Sequence, residues 1–84
     1  MYYVYIVQCR DKTFYTGITT DIERRLEEHN SSKLGARYTS FRRPVNLAYA
    51  EKFDNRSEAS KEEMRIKKLN KSEKIKLIEK YGSK

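Results

Sequence analysis

The sequence predicts an α+β fold in which a three-stranded sheet, mixed or antiparallel, is flanked by helices. Two runs rich in aromatic and β-branched residues, 2–8 and 13–18, are separated by the polar segment CRDK and predict a β-hairpin. A third run of this kind, 45–53, follows Pro44, and helical segments lie between and after the strands. The resulting order β-β-α-β-α-α buries its apolar residues most simply when the helices pack on the sheet.

The predicted hairpin carries tyrosines on both of its strands. If its turn is centred near Arg10, Tyr5 lies opposite Tyr15 and both hydroxyls project from one face of the sheet. A register slip of one residue would send the two side chains to opposite faces. Tyrosines on half-buried strands usually serve packing, so the pattern alone leaves a catalytic role open.

Capping residues mark the starts of the predicted helices. Thr20, three residues before a glutamate, matches a capping box and predicts a helix that ends near His29. Ser57 is expected to cap a second helix over 58–69. Asn70, again three residues before a glutamate, is expected to cap the last helix.

The first helix separates two neighbouring arginines. Ile22 and Leu26 define its buried stripe, which Arg25 and His29 flank, whereas Arg24 points nearly opposite and is expected to be solvated. An arginine whose stem packs beside a core keeps its guanidinium free to hold a phosphate. On helix geometry alone, an ordinary surface arginine explains Arg25 equally well, and His29 at a helix end is most often a cap.

The second helix offers two carboxylates beside its buried face. Ala59 and Ile66 mark that face, with Glu62 and Glu63 on either side of it, and geometry does not choose between them. A carboxylate next to an apolar stripe needs a partner, and a hydrated divalent cation is one candidate. Lys67, four residues after Glu63, is the other.

Length and cysteine content indicate one small intracellular domain. The chain has 84 residues, which predicts a single domain over 1–84 with one hydrophobic core. Cys9 is the only cysteine, which excludes an intramolecular disulfide and a paired-cysteine zinc site. The first residues do not resemble a signal peptide, and no stretch approaches the roughly 20 apolar residues of a membrane span. We therefore expect a cytoplasmic protein.

The charge of the chain indicates a polyanionic partner. The formal net charge is +7, and residues 31–50 include no acidic residue. Nucleic acid fits this distribution better than a membrane surface, because no helix joins a basic face to a broad apolar one. A merely solvated basic surface is the alternative. The candidates for contact with a nucleic-acid backbone are Lys33, Arg37, Tyr38, Arg42 and Arg43.

Two short motifs give the sequence a family resemblance. The triplets YVY at 3–5 and YTG at 15–17 resemble the paired motifs of the GIY-YIG nuclease superfamily. The resemblance continues through TGITTDIERRLEEHN, RRP and SEASKEEMRIKKL, in that order, and covers nearly the whole chain. Small bacterial proteins consisting of this domain alone are closest in length and layout. One departure is Tyr3, which stands where the first motif has glycine.

The resemblance implies an endonuclease that depends on Mg²⁺ or Mn²⁺. Glu63 takes the position of the metal-binding glutamate, and Gly17 that of a residue keeping the strand end slim near the site. The implied catalytic positions are Tyr5, Tyr15, Arg25, His29 and Glu63. Arg25 would hold the phosphate, and Tyr5, Tyr15 or His29 would accept the proton of water; the sequence leaves open which one does.

The resulting hypothesis is cleavage of DNA, rather than RNA, in repair or recombination, with selectivity for branched or damaged structures. No base-reading motif stands out, which predicts low sequence specificity. A binding module that keeps the fold without cutting, and a protein-interaction module, are the alternatives.

Overall fold

The computed structural model describes residues 1–31 and 37–82 of the chain. Its strands are β1 (Tyr2–Gln8), β2 (Phe14–Thr19) and β3 (Asn46–Phe53), which form an antiparallel sheet in the order β2-β1-β3. The helices are α1 (Ile22–Ser31), α2 (Arg37–Ser40), α3 (Arg56–Lys67) and α4 (Lys71–Gly82). The predicted α+β class is confirmed, and the four-residue α2 is an addition to the predicted order. No described helix has the length and apolar character needed to cross a membrane.

The central strand β1 is covered on both faces, which explains why its residues 4–7 are all buried. Val4 and Ile6 point to the face on which α3 and α4 pack, where they contact Ala59 and Ile66 in one apolar cluster. Tyr5 and Val7 point to the opposite face, where they join a cluster packed against α1. Alternation along one strand thus serves both layers of helices.

The hairpin register differs from the predicted one by two residues. Tyr5 pairs with Gly17, and Val7 pairs with Tyr15, so the expected pairing of Tyr5 with Tyr15 is wrong. The turn is centred one residue later than expected, with Lys12 in the left-handed region at φ 70°. Moving the centre by one residue shifts the pairing by two, which preserves the faces. The two tyrosines therefore still project from the same side of the sheet.

Two of the predicted helix starts need correction. In α1 the cap is Asp21, whose Oδ1 accepts a hydrogen bond from the backbone N–H of Arg24 at 3.0 Å, so the expected cap at Thr20 is one residue too early. In α3 the cap is Asn55, which accepts from the N–H of Glu58 at 2.9 Å, so the helix begins before Ser57. Asp and Asn are at least as favourable as Ser and Thr in this position.

The last helix starts as predicted. The backbone N–H of Glu73 donates to Asn70 Oδ1 at 2.9 Å, and the Glu73 carboxylate accepts from the N–H of Asn70 at 3.1 Å. This reciprocal pair is a capping box. It satisfies backbone groups at the start of α4, which packs against β3.

Candidate active site

Three aromatic side chains form a cluster on the face of the sheet that α1 covers. The ring centres of Tyr5 and Tyr15 are 6.5 Å apart, and both tyrosines approach the ring of His29, at 5.8 Å and 5.4 Å. Tyr5 and His29 are buried, whereas Tyr15 is half-buried. Strands β1 and β2 supply the tyrosines and the last turns of α1 supply the histidine. The structure therefore brings these three predicted residues together.

His29 connects the cluster to the short helix α2. Its Nε2 lies 2.8 Å from the Tyr5 hydroxyl, and its Nδ1 lies 2.8 Å from Oγ1 of Thr39. Burial, followed by the positive charge of Arg25, lowers the pKa of His29 from 6.5 to about 4. The imidazole is therefore neutral at pH 7, with one ring nitrogen donating and the other accepting.

Thr39 is a member of this site that sequence reasoning missed. It is fully buried and lies in α2, between the exposed residues Arg37 and Phe41. A threonine in a basic segment carries no pattern that separates it from its polar neighbours. Only the packing of α2 on α1 shows that its hydroxyl contacts the imidazole of His29.

The Tyr5 hydroxyl meets Arg25 as well as His29. Burial raises the pKa of Tyr5 from 10 to about 12, although a hydrogen bond with the Arg25 guanidinium and its positive charge act in the opposite direction. Arg25 is half-buried, and its Nη1 donates to Oε1 of Glu28 at 2.9 Å. Its neighbour Arg24 is exposed, as the helix geometry indicated. The guanidinium of Arg25 therefore lies close to both a carboxylate and a phenol.

Gly17 provides the space that Tyr5 occupies. A Cβ built on Gly17 would lie 2.6 Å from the Tyr5 hydroxyl oxygen and 2.8 Å from its Cζ. Atoms at these distances overlap, so the ring of Tyr5 crosses the backbone of β2 at a point where any side chain would displace it.

The two candidate glutamates of α3 have different surroundings. Glu62 binds Arg65 through two hydrogen bonds, of 2.6 Å and 2.7 Å, and lines a groove beside Tyr49. Glu63 pairs with Lys67, whose Nζ is 3.2 Å from Oε2, and its negative charge contributes to the raised pKa of Tyr5. Both explanations offered for Glu63 thus remain compatible with its position, because a lysine partner is present and the side chain acts on the tyrosine cluster.

The donor set at Glu63 restricts the kind of metal it could hold. Within residues 1–31 and 37–82, no group of three or more His, Cys, Asp or Glu side chains is arranged to bind a metal ion. A cage made entirely by protein ligands is therefore not formed by these residues. Mg²⁺ often binds through one or two carboxylates, with waters and substrate phosphates as its other ligands, and the single, half-buried Glu63 fits that mode.

Two of the predicted nucleic-acid contacts, Tyr38 and Arg42, lie beside the cluster. Tyr38 stacks on Tyr15 with ring centres 5.9 Å apart, and the Arg42 guanidinium covers Tyr38 at 4.0 Å from its ring centre. Arg42 also donates to Asp11 Oδ2 at 3.1 Å. These contacts occupy Tyr38 and Arg42 within the protein, next to the site.

The other candidates for nucleic-acid contact have different positions. Arg43 donates from Nε to the backbone carbonyl of His29 at 2.6 Å, and it is half-buried. Arg37, the first residue of α2, is exposed. Lys33 lies outside the described residues.

Comparison with known proteins places the chain in a family. Residues 1–76 match the model of the GIY-YIG catalytic domain. A UPF0213 protein of Syntrophus aciditrophicus is 55% identical over 76 residues, which cover 90% of this chain and 87% of that protein. A UPF0213 protein of Desulfotalea psychrophila is 60% identical over 77 residues, which cover 92% of this chain and 70% of that protein.

Two solved structures share the fold. The solution NMR structure of a UPF0213 protein from Bacillus halodurans has a TM-score of 0.60 and 40% identity, and the match covers 94% of this chain and 84% of that one. The solution NMR structure of a protein from E. faecalis has a TM-score of 0.66 and 45% identity, with 99% and 88% covered. Because the family model matches residues 1–76 and the tyrosines of both short motifs lie in one aromatic cluster, the chain belongs to the GIY-YIG family.

Proposed function

We propose that this chain is a divalent-metal-dependent endonuclease that hydrolyses phosphodiester bonds of DNA. The observation that carries the proposal is the contact of one phenol, that of Tyr5, with both a neutral imidazole and a guanidinium. Hydrolysis of a phosphodiester needs a proton acceptor for the attacking water and positive charge for the phosphoryl oxygens. The pair Tyr5–His29 offers the first and Arg25 offers the second.

The proton path that we propose runs from water through Tyr5 to His29. As water attacks phosphorus, its proton passes to the Tyr5 oxygen, and the hydroxyl proton of Tyr5 passes to Nε2 of His29. The bond from phosphorus to the leaving oxygen then breaks with its electron pair on that oxygen, which takes a proton from solvent. With pKa values of about 12 and about 4, Tyr5 is protonated and His29 is neutral at pH 7, which is the starting state this path needs. The negative charge of a bound phosphate would stabilise the imidazolium that results.

In this proposal Arg25 holds the scissile phosphate. Its guanidinium contacts Tyr5 and Glu28, so its orientation is fixed before substrate binds. A planar fork suits two phosphate oxygens better than the point charge of a lysine does. The same contact keeps the phosphate close to the hydroxyl of Tyr5.

Glu63 is the residue that would hold the metal, together with waters and the phosphate itself. A bound Mg²⁺ or Mn²⁺ supplies positive charge for the phosphoryl and leaving oxygens. Release of Glu63 from Lys67 is the one local change that this requires, and since the Lys67 side chain is 54% exposed, the cost of losing that ion pair is small.

We propose that the substrate is DNA, cut without strong sequence preference. Branched or damaged structures are proposed to be cut in preference to plain duplex. The formal net charge of +7 favours any polyanion. No helix in the described ranges extends as a separate base-reading element, since each of the four packs on the sheet or on another helix.

Cleavage of labelled single-stranded, duplex and branched DNA, each with Mg²⁺ or Mn²⁺, tests the proposed function. Glu63→Gln should reduce cutting by about 100-fold or more and leave DNA binding intact. Glu62→Gln is the matched control, because it removes the neighbouring carboxylate of the same helix, and it should cut like the wild type. Equal cutting by the wild type and Glu63→Gln would contradict the proposal. Binding that is never followed by cutting would favour a module that keeps the fold without catalysis.

A further inference from the structure

A cleft lies beside Arg25, where β2 ends and where α1 and α3 begin. Its volume is about 320 Å³. The lining residues that matter here are Tyr2, Thr20, Arg24, Arg25, Glu28 and Arg56. Arg25 lines this cleft and also lies beside Tyr5, so the cleft is adjacent to the tyrosine cluster.

The cleft is positively charged. Its three arginines and one glutamate sum to a net charge of +2, from 3 minus 1. Glu28 lies 2.9 Å from Arg25 but 3.8 Å from Arg24, whose side chain is 59% exposed. Arg56 is exposed, and its side chain makes no hydrogen bond or ion pair with any residue that the structure describes. Two of the three cations are therefore available to a ligand.

Two helix starts add to this charge. Arg56 is the first residue of α3, and Thr20 lies two residues before the first residue of α1. Each helix carries a partial positive charge at its N-terminal end. Arginines from two different helices around one space form a better anion site than a row of arginines on one helix, because they approach the ligand from different directions.

We propose that this cleft binds a phosphate of the DNA backbone next to the one that is cleaved. The inference rests on the proposed nuclease function, and it assigns Arg24 and Arg56 to substrate positioning. Arg25 would contact the scissile phosphate on one side while Arg24 and Arg56 hold the neighbouring phosphate on the other. The bound strand would then pass along the end of β2.

Salt-dependent binding of duplex DNA in the absence of divalent metal tests this inference. The slope of log affinity against log salt should decrease by about 0.9 for each lost phosphate contact. Arg24→Ala and Arg56→Ala should each show this decrease. Arg56→Lys keeps the positive charge and should therefore keep the slope of the wild type. Lys76→Ala, which removes an exposed cation of α4 away from the cleft, is the control and should leave affinity nearly unchanged. Melting temperatures would show that all four variants fold.

A second arm identifies the source of the phosphate. In a titration of the ¹⁵N-labelled protein followed by NMR, duplex DNA should shift the amides of Thr20, Arg24 and Arg56, and inorganic phosphate alone should shift them less at equal concentration. Shifts as large with inorganic phosphate would indicate a site for a free anion and would overturn the inference.

The outcomes separate the inference from the function on which it rests. If the wild type binds and cuts DNA while Arg24→Ala and Arg56→Ala keep its salt slope, the cleft does not hold the backbone and the nuclease proposal stands. If the wild type neither binds nor cuts DNA, both proposals fail.

Discussion

The hydroxyl of Tyr5 lies over the backbone of Gly17, in the space that a side chain at that position would occupy. The two residues are paired across β1 and β2, and their side-chain directions coincide. The ring of Tyr5 therefore reaches across the edge strand to His29 and Arg25 only because residue 17 has no Cβ. The two motif residues depend on each other through this contact.

Gly17→Ala should displace Tyr5 and weaken its hydrogen bond to His29. An atom 2.6 Å from the hydroxyl oxygen and 2.8 Å from Cζ forces the ring to move, and we expect a loss of about 1–3 kcal/mol in the free energy of unfolding. Urea denaturation of the wild type and the variant measures this loss. The control is the same change in a Tyr5→Ala background, where the overlap is absent and the added loss should be smaller. An equal loss in both backgrounds would show that the contact is not the cause.

His29 should make the stability of the protein fall at acid pH. Its pKa is about 4 in the folded state against an ordinary 6.5, so the folded state binds the proton less readily than the unfolded state does. The contribution is fully present above pH 6.5 and is lost as the pH falls toward 4. The loss amounts to at most about 3 kcal/mol.

The comparison of the wild type with His29→Gln isolates this contribution, because both proteins have the same carboxylates. The free energy of unfolding, measured in urea between pH 7 and 4, should fall more steeply for the wild type. If the free energies of unfolding of the two proteins fall in parallel with pH, the pKa of His29 is the same in the folded and unfolded states.

Thr16→Val should stabilise the protein. The Thr16 hydroxyl is buried, with no hydrogen-bond partner among the described residues, and the valine side chain has nearly the same shape. Removing an unpaired buried hydroxyl should raise the free energy of unfolding by about 1 kcal/mol. Thermal and urea denaturation measure the change.

Thr19→Val is the matched control on the same strand. Thr19 is also buried, but its hydroxyl accepts from the N–H of Asp21 and donates to the Asp21 carbonyl, each at 3.1 Å. Its replacement should therefore cost about 1 kcal/mol. Destabilisation by both changes would contradict the account given for Thr16.

Arg42→Ala should destabilise the protein, because Arg42 joins the hairpin turn to α2. It donates to Asp11 at 3.1 Å and to the Tyr38 carbonyl at 2.9 Å, and its guanidinium covers the Tyr38 ring. The expected loss is about 1–2 kcal/mol. Arg10→Ala, an exposed arginine of the same turn, should cost much less. Unchanged stability with a lower salt slope of DNA binding would instead make Arg42 a phosphate contact.

Residue patterns predicted the fold well wherever an element was long enough to show its period. Runs of aromatic and β-branched residues identified the strands, and helix geometry separated Arg25 from Arg24. The hairpin register failed because Lys12 adopts a left-handed conformation without the glycine or asparagine that usually announces one. The helix α2 was missed because four residues are too few to show a helical period.

The site was predicted less completely than the fold. The burial of His29 follows from the packing of α2, which brings Thr39 to its ring from ten residues away. Arg56 was overlooked because the cap was expected at Ser57, which would have left this arginine in a loop. One misplaced helix start was therefore enough to hide one wall of the cleft.

The position of Tyr15 is supported by a chain of contacts that begins in the turn between β1 and β2. Asp11 in the turn holds Arg42, Arg42 covers Tyr38, and Tyr38 stacks on Tyr15. A surface loop thus supports an aromatic ring of the candidate active site. An insertion between β1 and β2 would therefore remove that support while leaving every proposed catalytic side chain in the sequence.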